Sequence, residues 1–139
     1  MKPDPIDEAR RWLAQGREDL EAAREVMGHK RYYLACFLAQ QVAEKALKAY
    51  LYGRGEDLVF GHSVGELCDW AARYDAGFKA LKQKIAMLDR YYVAARYPNG
   101  VAPGAVPAEV FNQEDATQAV GFAELAVSRV SELLKLSGA

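Results

Sequence analysis

Residues 35–49 read Ala-Cys-Phe-Leu-Ala-Gln-Gln-Val-Ala-Glu-Lys-Ala-Leu-Lys-Ala, inside a stretch from about Arg31 to Tyr52 that is apolar on nearly every helical face. A helix of this kind belongs in the middle of a bundle, where neighbouring helices cover it on all sides. Its polar side chains are confined to one narrow stripe, which consists of Gln41, Glu44, Lys45 and Lys48 with Gln40 beside it. Two interpretations of this stripe stay open: a solvated face, or polar groups that line a groove or a subunit interface.

The segment before this central helix carries a seam of small and apolar residues from Ile6 to Met27, spaced at 3.5 positions. Alternate members of the seam are Ala9, Gly16 and Ala23, which are small enough to let a neighbouring helix approach closely. The pattern therefore predicts a long first helix that packs tightly against its neighbour.

Three further helices follow the central one. The third opens at Ser63 with the Ser-x-x-Glu form of a capping box, and the fifth opens at Asn112 with Asp115 at the capping-box position. The fourth has a seam of period 3.5, formed by Phe78, Leu81, Ile85, Leu88, Tyr92 and Ala95. We therefore predict an all-α fold, a five-helix up-and-down bundle that forms a single domain over residues 1–139.

Composition limits the function classes. The chain has 139 residues, 51% of them hydrophobic, and its 18 basic and 19 acidic side chains leave a net charge of −1. This balance gives no general attraction to nucleic acid or to an anionic membrane, so any site for a polyanion must be local. The sequence shows neither an apolar export segment at its start nor an apolar run long enough to span a membrane. We expect a cytoplasmic protein without membrane contact.

The cysteines and histidines do not suggest a metal site. Cys36 and Cys68 lie far apart in apolar, helical surroundings, which predicts buried reduced thiols. Together with His29 and His62 they match no zinc-binding spacing. The sequence also lacks a glycine-rich phosphate loop. We therefore predict no metal and no cofactor.

The richest chemistry lies in residues 88–99, which read Leu-Asp-Arg-Tyr-Tyr-Val-Ala-Ala-Arg-Tyr-Pro-Asn. On a continuous α-helix, Asp89, Tyr92, Val93 and Arg96 would share one face. An arginine in the last helical turn, with free donors and aromatic neighbours, can bind a phosphate or a base. It can equally cap its own helix.

Four segments in this order resemble the HEPN domain: Trp12 with Asp19-Leu20, residues 35–49, Gly61-His62-Ser63, and residues 88–98. The resemblance covers nearly the whole chain. It implies a compact helical bundle that is usually dimeric. Many prokaryotic members of that family are encoded beside a minimal nucleotidyltransferase as a toxin-antitoxin-like pair, so the resemblance also implies such a partner.

The ribonuclease members of that family carry an arginine followed four to six residues later by a histidine, and this chain departs from that pattern. The positions after Arg90 and Arg96 where the histidine would stand hold other residues, and no histidine follows His62. Histidine is the side chain whose ordinary pKa lies near neutrality, so its absence removes the usual general base. The sequence therefore favours binding over catalysis.

The preferred hypothesis is a dimeric, non-catalytic HEPN module that docks a minimal nucleotidyltransferase. Five residues of the 88–99 segment would hold a nucleotide or a nucleic-acid segment: Asp89, Arg90, Tyr92, Arg96 and Tyr97. A variant of this hypothesis makes Tyr97 the acceptor of a nucleotidyl group from the partner.

Two alternatives stay open. The first is a metal-independent ribonuclease toxin with a degenerate motif, in which Arg96 stabilises the phosphate and Tyr97 or His62 replaces the missing histidine. The second is a purely structural dimerisation domain, in which Asp89 and Arg96 join a network of salt bridges. His62, just before the cap of the third helix, would then satisfy loop backbone.

Overall fold

The central helix α2, Tyr32–Gly53, organises the bundle in the computed structural model, which describes residues 2–136. It packs against α1, Pro5–Gly28, and against α7, Gln113–Leu136, and it also contacts α3, Val64–Ala71. Helix α4, Gly77–Ile85, packs on α3. The remaining helical elements are short: a 3₁₀ segment at Ala86–Arg90, α5 at Tyr91–Ala94, a 3₁₀ turn at Pro98–Gly100, and α6 at Pro107–Val110. Residues 2–136 contain no strand, which confirms the all-α prediction.

Small residues bring α1 and α2 close together. Ala9 and Ala23 of α1 are fully buried, and the Cα of Gly16 faces the backbone of α2 near Val42 and Ala46. Several alanines of α2 are also without solvent contact, among them Ala35, Ala39, Ala43, Ala46 and Ala49. The predicted close approach of the first helix is therefore confirmed.

Local capping sets the starts of the long helices. The carboxylate of Asp4 accepts hydrogen bonds from the backbone N–H groups of Ile6 (2.9 Å) and Asp7 (3.3 Å) at the start of α1. At the start of α7, the side chains of Asn112 and Asp115 each accept a hydrogen bond from the other residue's backbone N–H, both at 3.0 Å. This reciprocal pair is the capping box that the sequence predicts.

The prediction of a continuous fourth helix is wrong. After Ile85 the chain continues as a 3₁₀ segment, which has three residues per turn. Ile85, Leu88 and Tyr91 therefore align on one side, and all three are fully buried. The sequence pattern places Tyr92 in the core, but this tyrosine is partly exposed and its neighbour Tyr91 takes the core position.

Both cysteines are buried and unpaired, as predicted. Burial raises the pKa of the Cys36 and Cys68 thiols to about 12, so both remain protonated at neutral pH.

No helix among the described residues is long and apolar enough to cross a membrane.

The close approach at Gly16 predicts opposite effects for two substitutions. A Cβ at this position lies 3.5 Å from the Cβ of Lys45, an ordinary contact, so Gly16→Ala should raise the free energy of unfolding by about 0.5–1 kcal/mol through helix propensity. Gly16→Leu should lower it by about 1–3 kcal/mol, because the larger side chain overfills the α1–α2 contact. Urea denaturation of the two variants measures both effects, and a neutral Gly16→Leu would contradict the close packing.

Candidate functional site

Asp89 caps the N-terminus of α3, although the two are far apart in the sequence. Its carboxylate accepts hydrogen bonds from the backbone N–H groups of Val64 (2.7 Å) and Gly65 (3.0 Å) and from the hydroxyl of Ser63 (2.9 Å). The Ser63 hydroxyl oxygen in turn accepts from the N–H of Glu66 at 3.1 Å. Only the Ser63 half of the predicted capping box is formed. Asp89 contacts the helix start, and the side chain of Glu66, which the sequence predicts as the second capping residue, is exposed.

Gln40, which is fully buried, connects α2 to this cap. Its side-chain amide donates to the carbonyl of His62 at 2.7 Å and lies 3.4 Å from the Asp89 carboxylate. Its amide oxygen accepts from the side chain of Gln41 at 2.8 Å. Gln40 therefore fixes the loop around His62 against the central helix.

Glu44 continues the same buried row one turn further along α2. Its carboxylate lies 3.2 Å from the ammonium of Lys48 and 3.2 Å from Nδ1 of His62. Glu44 and Lys48 are both buried, and Lys48 also lies over the ring of Trp12 at 5.5 Å from the centroid. These two members of the polar stripe are therefore covered within one chain and are not solvated.

The other two stripe residues lie nearer the surface. Lys45 forms an ion pair with Asp19 of α1 and borders a groove of about 530 Å³ beside Trp12. Gln41 is partly exposed. The stripe thus divides into a buried pair and a partly exposed pair, and its predicted role as a groove or interface stays a prediction.

Arg96 lies among three aromatic rings. Its guanidinium carbon is 4.5 Å from the ring centroid of Tyr92, 4.7 Å from that of Phe37 and 5.1 Å from that of Tyr97. Its Nε–H donates to the carbonyl of Tyr92 at 2.5 Å, so the side chain also caps its own helical turn. Within residues 2–136 its terminal nitrogens have no hydrogen-bond acceptor and no carboxylate contacts it.

His62 completes this group, which we call the Arg96 cluster: Phe37, His62, Tyr92, Arg96 and Tyr97. The imidazole ring stacks on Tyr92, with centroids 5.1 Å apart and planes 18° from parallel. The sequence leaves open whether His62 approaches Arg96, and the structure shows that both contact the ring of Tyr92. The side chain of His62 is 60% exposed.

Arg90 lies in different surroundings from Arg96. Its guanidinium donates to the hydroxyl of buried Tyr91 at 2.9 Å and lies 3.9 Å from the carboxylate of Asp115. Burial raises the pKa of Tyr91, against the opposing effect of the hydrogen bond from Arg90, so this hydroxyl stays protonated near neutrality. Arg90 and Tyr91 thus link the 3₁₀ segment to the start of α7.

The chain after Arg96 is held close to the cluster by a glycine. A Cβ on Gly100 would lie 2.7 Å from the Cα of Ala94, a separation that backbone atoms do not tolerate. The 3₁₀ turn Pro98–Gly100 therefore folds back onto α5, and Tyr97 before it is 51% exposed. No group of histidine, cysteine and carboxylate side chains in the described part of the chain is arranged to hold a metal ion.

The structure therefore separates the five residues that the sequence groups as a nucleotide site. Tyr92, Arg96 and Tyr97 come together, whereas Asp89 faces the start of α3 and Arg90 faces α7. Asp89 and Tyr92 nevertheless contact the same loop, Asp89 through the backbone of Val64 and Tyr92 through the ring of His62. Sequence reasoning missed Phe37, which reads as an ordinary core residue of α2.

Comparison with known proteins identifies this architecture. The model of the HEPN domain family matches residues 9–133. The structure is similar to that of TT1696 from Thermus thermophilus, with 34% identity, a TM-score of 0.84, and coverage of 90% of this chain and 97% of that one. It is also similar to ST0689, an archaeal HEPN homologue, with 33% identity, a TM-score of 0.75, and coverage of 91% and 98%.

A HEPN domain protein from Thermotoga maritima, tm0613, matches at 25% identity with a TM-score of 0.69, over 90% of this chain and 98% of that one. No functionally curated protein shows significant similarity to the chain. The fold is thus a helical bundle of the HEPN type. The chain belongs to the HEPN domain family, whose domains are known to dimerise.

The cap that Asp89 provides predicts a large loss of stability on its removal. Asp89→Ala leaves two backbone N–H groups and the Ser63 hydroxyl without their acceptor, so the free energy of unfolding should fall by about 2–4 kcal/mol. Asp69→Ala is the control, since the polar contact of Asp69 among residues 2–136 is an exposed ion pair with Lys82, and it should leave stability almost unchanged. Equal effects of the two substitutions in urea denaturation would contradict the cap.

Proposed function

We propose that this chain is a HEPN module that binds a phosphate-bearing ligand, a nucleotide or an RNA segment, at the Arg96 cluster without cleaving it. The observation that carries the proposal is the state of the Arg96 side chain. Its position is fixed by three rings and by the hydrogen bond to the Tyr92 carbonyl, while its terminal nitrogens have no acceptor among the described residues. A guanidinium held in this way is ready for bidentate contact with a phosphate.

The aromatic neighbours suit the rest of such a ligand. Tyr97 is 51% exposed and presents a ring on which a base can stack. Since no described carboxylate contacts Arg96, its charge is not neutralised locally, although the chain as a whole carries −1. The site is thus a local positive charge that attracts anions, although the net charge of the chain is slightly negative.

We assign Asp89 and Arg90 a positioning role in this proposal. The carboxylate of Asp89 is engaged with the start of α3, and Nη2 of Arg90 donates to Tyr91 and lies 3.9 Å from Asp115, so both residues tie this segment to other helices. A carboxylate at a phosphate site would also repel the ligand. They hold the segment that carries Tyr92 and Arg96 in place.

The proposal includes a homodimer and a minimal nucleotidyltransferase as the partner in a toxin-antitoxin-like pair, as the sequence resemblance implies. Within the Arg96 cluster, Tyr97 is the best placed acceptor for a nucleotidyl group, because its side chain is half exposed and lies beside the cation that would hold the incoming phosphate. A nucleotidyltransferase gene next to this one is the observation that would support this part most directly.

Arg96→Ala tests the binding site. Loss of one bidentate phosphate contact should weaken binding of ATP, or of a fluorescein-labelled single-stranded RNA of about twelve nucleotides, by about 10- to 100-fold. Fluorescence anisotropy measures the RNA and calorimetry the ATP. Arg54→Ala is the matched control, since Arg54 also lies over a tyrosine ring, 5.0 Å from the centroid of Tyr74, and it should bind as the wild type does.

The structural alternative makes the opposite prediction for the same variant. If Arg96 only maintains the fold or the dimer, Arg96→Ala should lower the melting temperature or dissociate the dimer and leave binding of ATP and RNA unchanged. No binding of either probe by the wild-type protein would contradict the proposed function.

A specific observation favours metal-independent RNA cleavage as a second candidate function. Nδ1 of His62 lies 3.2 Å from the buried Glu44 carboxylate, and its Nε2 has no partner within the described chain. A neutral imidazole that donates Nδ1–H to Glu44 presents the Nε2 lone pair, which can take the proton of a ribose 2′-hydroxyl. Attack of the 2′-oxygen on phosphorus then breaks the bond to the 5′-oxygen, which takes up a proton from water and leaves as a 5′-hydroxyl, while the other fragment ends in a 2′,3′-cyclic phosphate.

The two histidines of the chain provide a matched test of this second candidate. If His62 is the base, single-stranded RNA incubated with the wild-type protein in EDTA should give fragments with cyclic phosphate ends, and His62→Ala should slow their formation by about 100-fold or more. His29→Ala is the control, because His29 lies exposed in the turn after α1. Intact RNA after incubation with pure wild-type protein would overturn this candidate and leave the binding function.

A further inference from the structure

The loop between α2 and α3 turns two large apolar side chains outward. Val59 anchors this loop, since its side chain is buried and its backbone N–H donates to the hydroxyl of Tyr52 at 3.1 Å. Its neighbours Leu58 and Phe60 are 68% and 70% exposed. Burial of one residue thus fixes the exposure of the two beside it, and this exposure needs an explanation.

The exposed side chains border a groove against α3. The groove has a volume of about 620 Å³, and Leu67 and Trp70 of α3 line it opposite Leu58 and Phe60. The rings of Phe60 and Trp70 are 5.5 Å apart. The indole N–H of Trp70 donates to Glu56 at 2.8 Å, so the wall of the groove is held in position. The apolar side chains that line the groove can contact an aliphatic or aromatic group of a ligand.

The charges around the groove are mostly negative. Four carboxylates line it, those of Glu56, Asp57, Glu66 and Asp69, against the single guanidinium of Arg73. Asp57 and Asp69 form exposed ion pairs with Lys2 and Lys82, and such pairs exchange partners at little cost.

Two of these carboxylates are available to a ligand in different ways. Hydrogen bonds from Tyr74 and Trp70 lower the pKa of Glu56, which therefore stays charged at neutral pH. The side chain of Glu66 is exposed and has no hydrogen-bond or ionic partner in residues 2–136. The rim of the groove thus combines a fixed and an unpaired negative charge.

This combination decides what can occupy the groove. An acidic rim repels RNA and anionic membranes, so this surface is distinct from the Arg96 cluster. A two-fold dimer formed through the groove would place acidic rim against acidic rim. We propose that the groove docks a segment of another protein that carries an aromatic or long aliphatic side chain flanked by lysine or arginine.

Selection from a displayed library of random dodecapeptides tests this proposal with the full chain as bait. The enriched peptides should share one large apolar residue with a basic residue on each side, and a synthetic peptide of the consensus should bind in solution. In a Trp12→Phe background the fluorescence of Trp70 measures the binding directly, because the chain has two tryptophans and Trp70 is the one that remains. Replacing the basic residues of the peptide by glutamate should weaken binding by about tenfold or more.

Two variants of the groove and two controls locate the site. Phe60→Ala and Glu66→Lys should each weaken binding of the consensus peptide by about tenfold, and both side chains are exposed, so the fold should be retained. Glu25→Lys, an exposed charge reversal on α1, and Arg96→Ala should leave peptide binding unchanged.

Three outcomes would overturn the proposal. One is a selection without enrichment above the Phe60→Ala bait, and another is a consensus that lacks basic residues. The third is a loss of peptide binding in the Arg96→Ala variant, because the groove would then not be separate from the Arg96 cluster. Failure of the proposed function is recognised independently, since Arg96→Ala does not change the peptide assay.

Discussion

Three buried polar side chains on one face of α2, Gln40, Glu44 and Lys48, determine the arrangement of the surrounding chain. They lie four residues apart, so they form one row, and each has little or no solvent contact. A buried polar or charged group that loses its partner costs several kcal/mol, about 3–5 kcal/mol for one half of a buried ion pair. The fold must therefore bring partners to this row. This requirement cannot be read from the sequence, because the spacing of Glu44 and Lys48 is the same whether the pair is exposed or covered by a distant loop.

Several of those partners come from segments that carry the candidate site, while Lys48 pairs with Glu44 and lies over the ring of Trp12 in α1. The side-chain amide of Gln40 donates to the carbonyl of His62 and approaches the carboxylate of Asp89. The carboxylate of Glu44 lies within hydrogen-bond distance of the His62 imidazole. Because His62 stacks on Tyr92, the row also fixes the ring over which Arg96 lies. A requirement for satisfied polar groups in the core thus positions an exposed cation several contacts away.

The long helices are predictable from sequence because their signals are local, and so is the grouping of Tyr92 with Arg96, which are neighbours in the chain. The contribution of Ser63 to the cap of α3 is predictable from the local sequence. The contribution of Asp89 is not, because Asp89 lies 26 residues from Ser63 and no local pattern indicates the contact. The 3₁₀ geometry around Asp89 is hidden for a related reason: seams of three and of about 3.5 residues differ little over two turns. Phe37 joins the cluster through tertiary packing alone, so no sequence signal could include it.

The loop that covers the polar row also separates two surfaces of opposite charge. Phe60 faces the acidic groove, while His62, two residues later, belongs to the Arg96 cluster. Gly61 stands between them with φ of +95°, a conformation that a side chain would strain. Since the net charge of −1 is a sum over the chain, it hides both surfaces. Under both proposals, ligand selection depends on where the charges lie and on the loop that keeps the two sets apart.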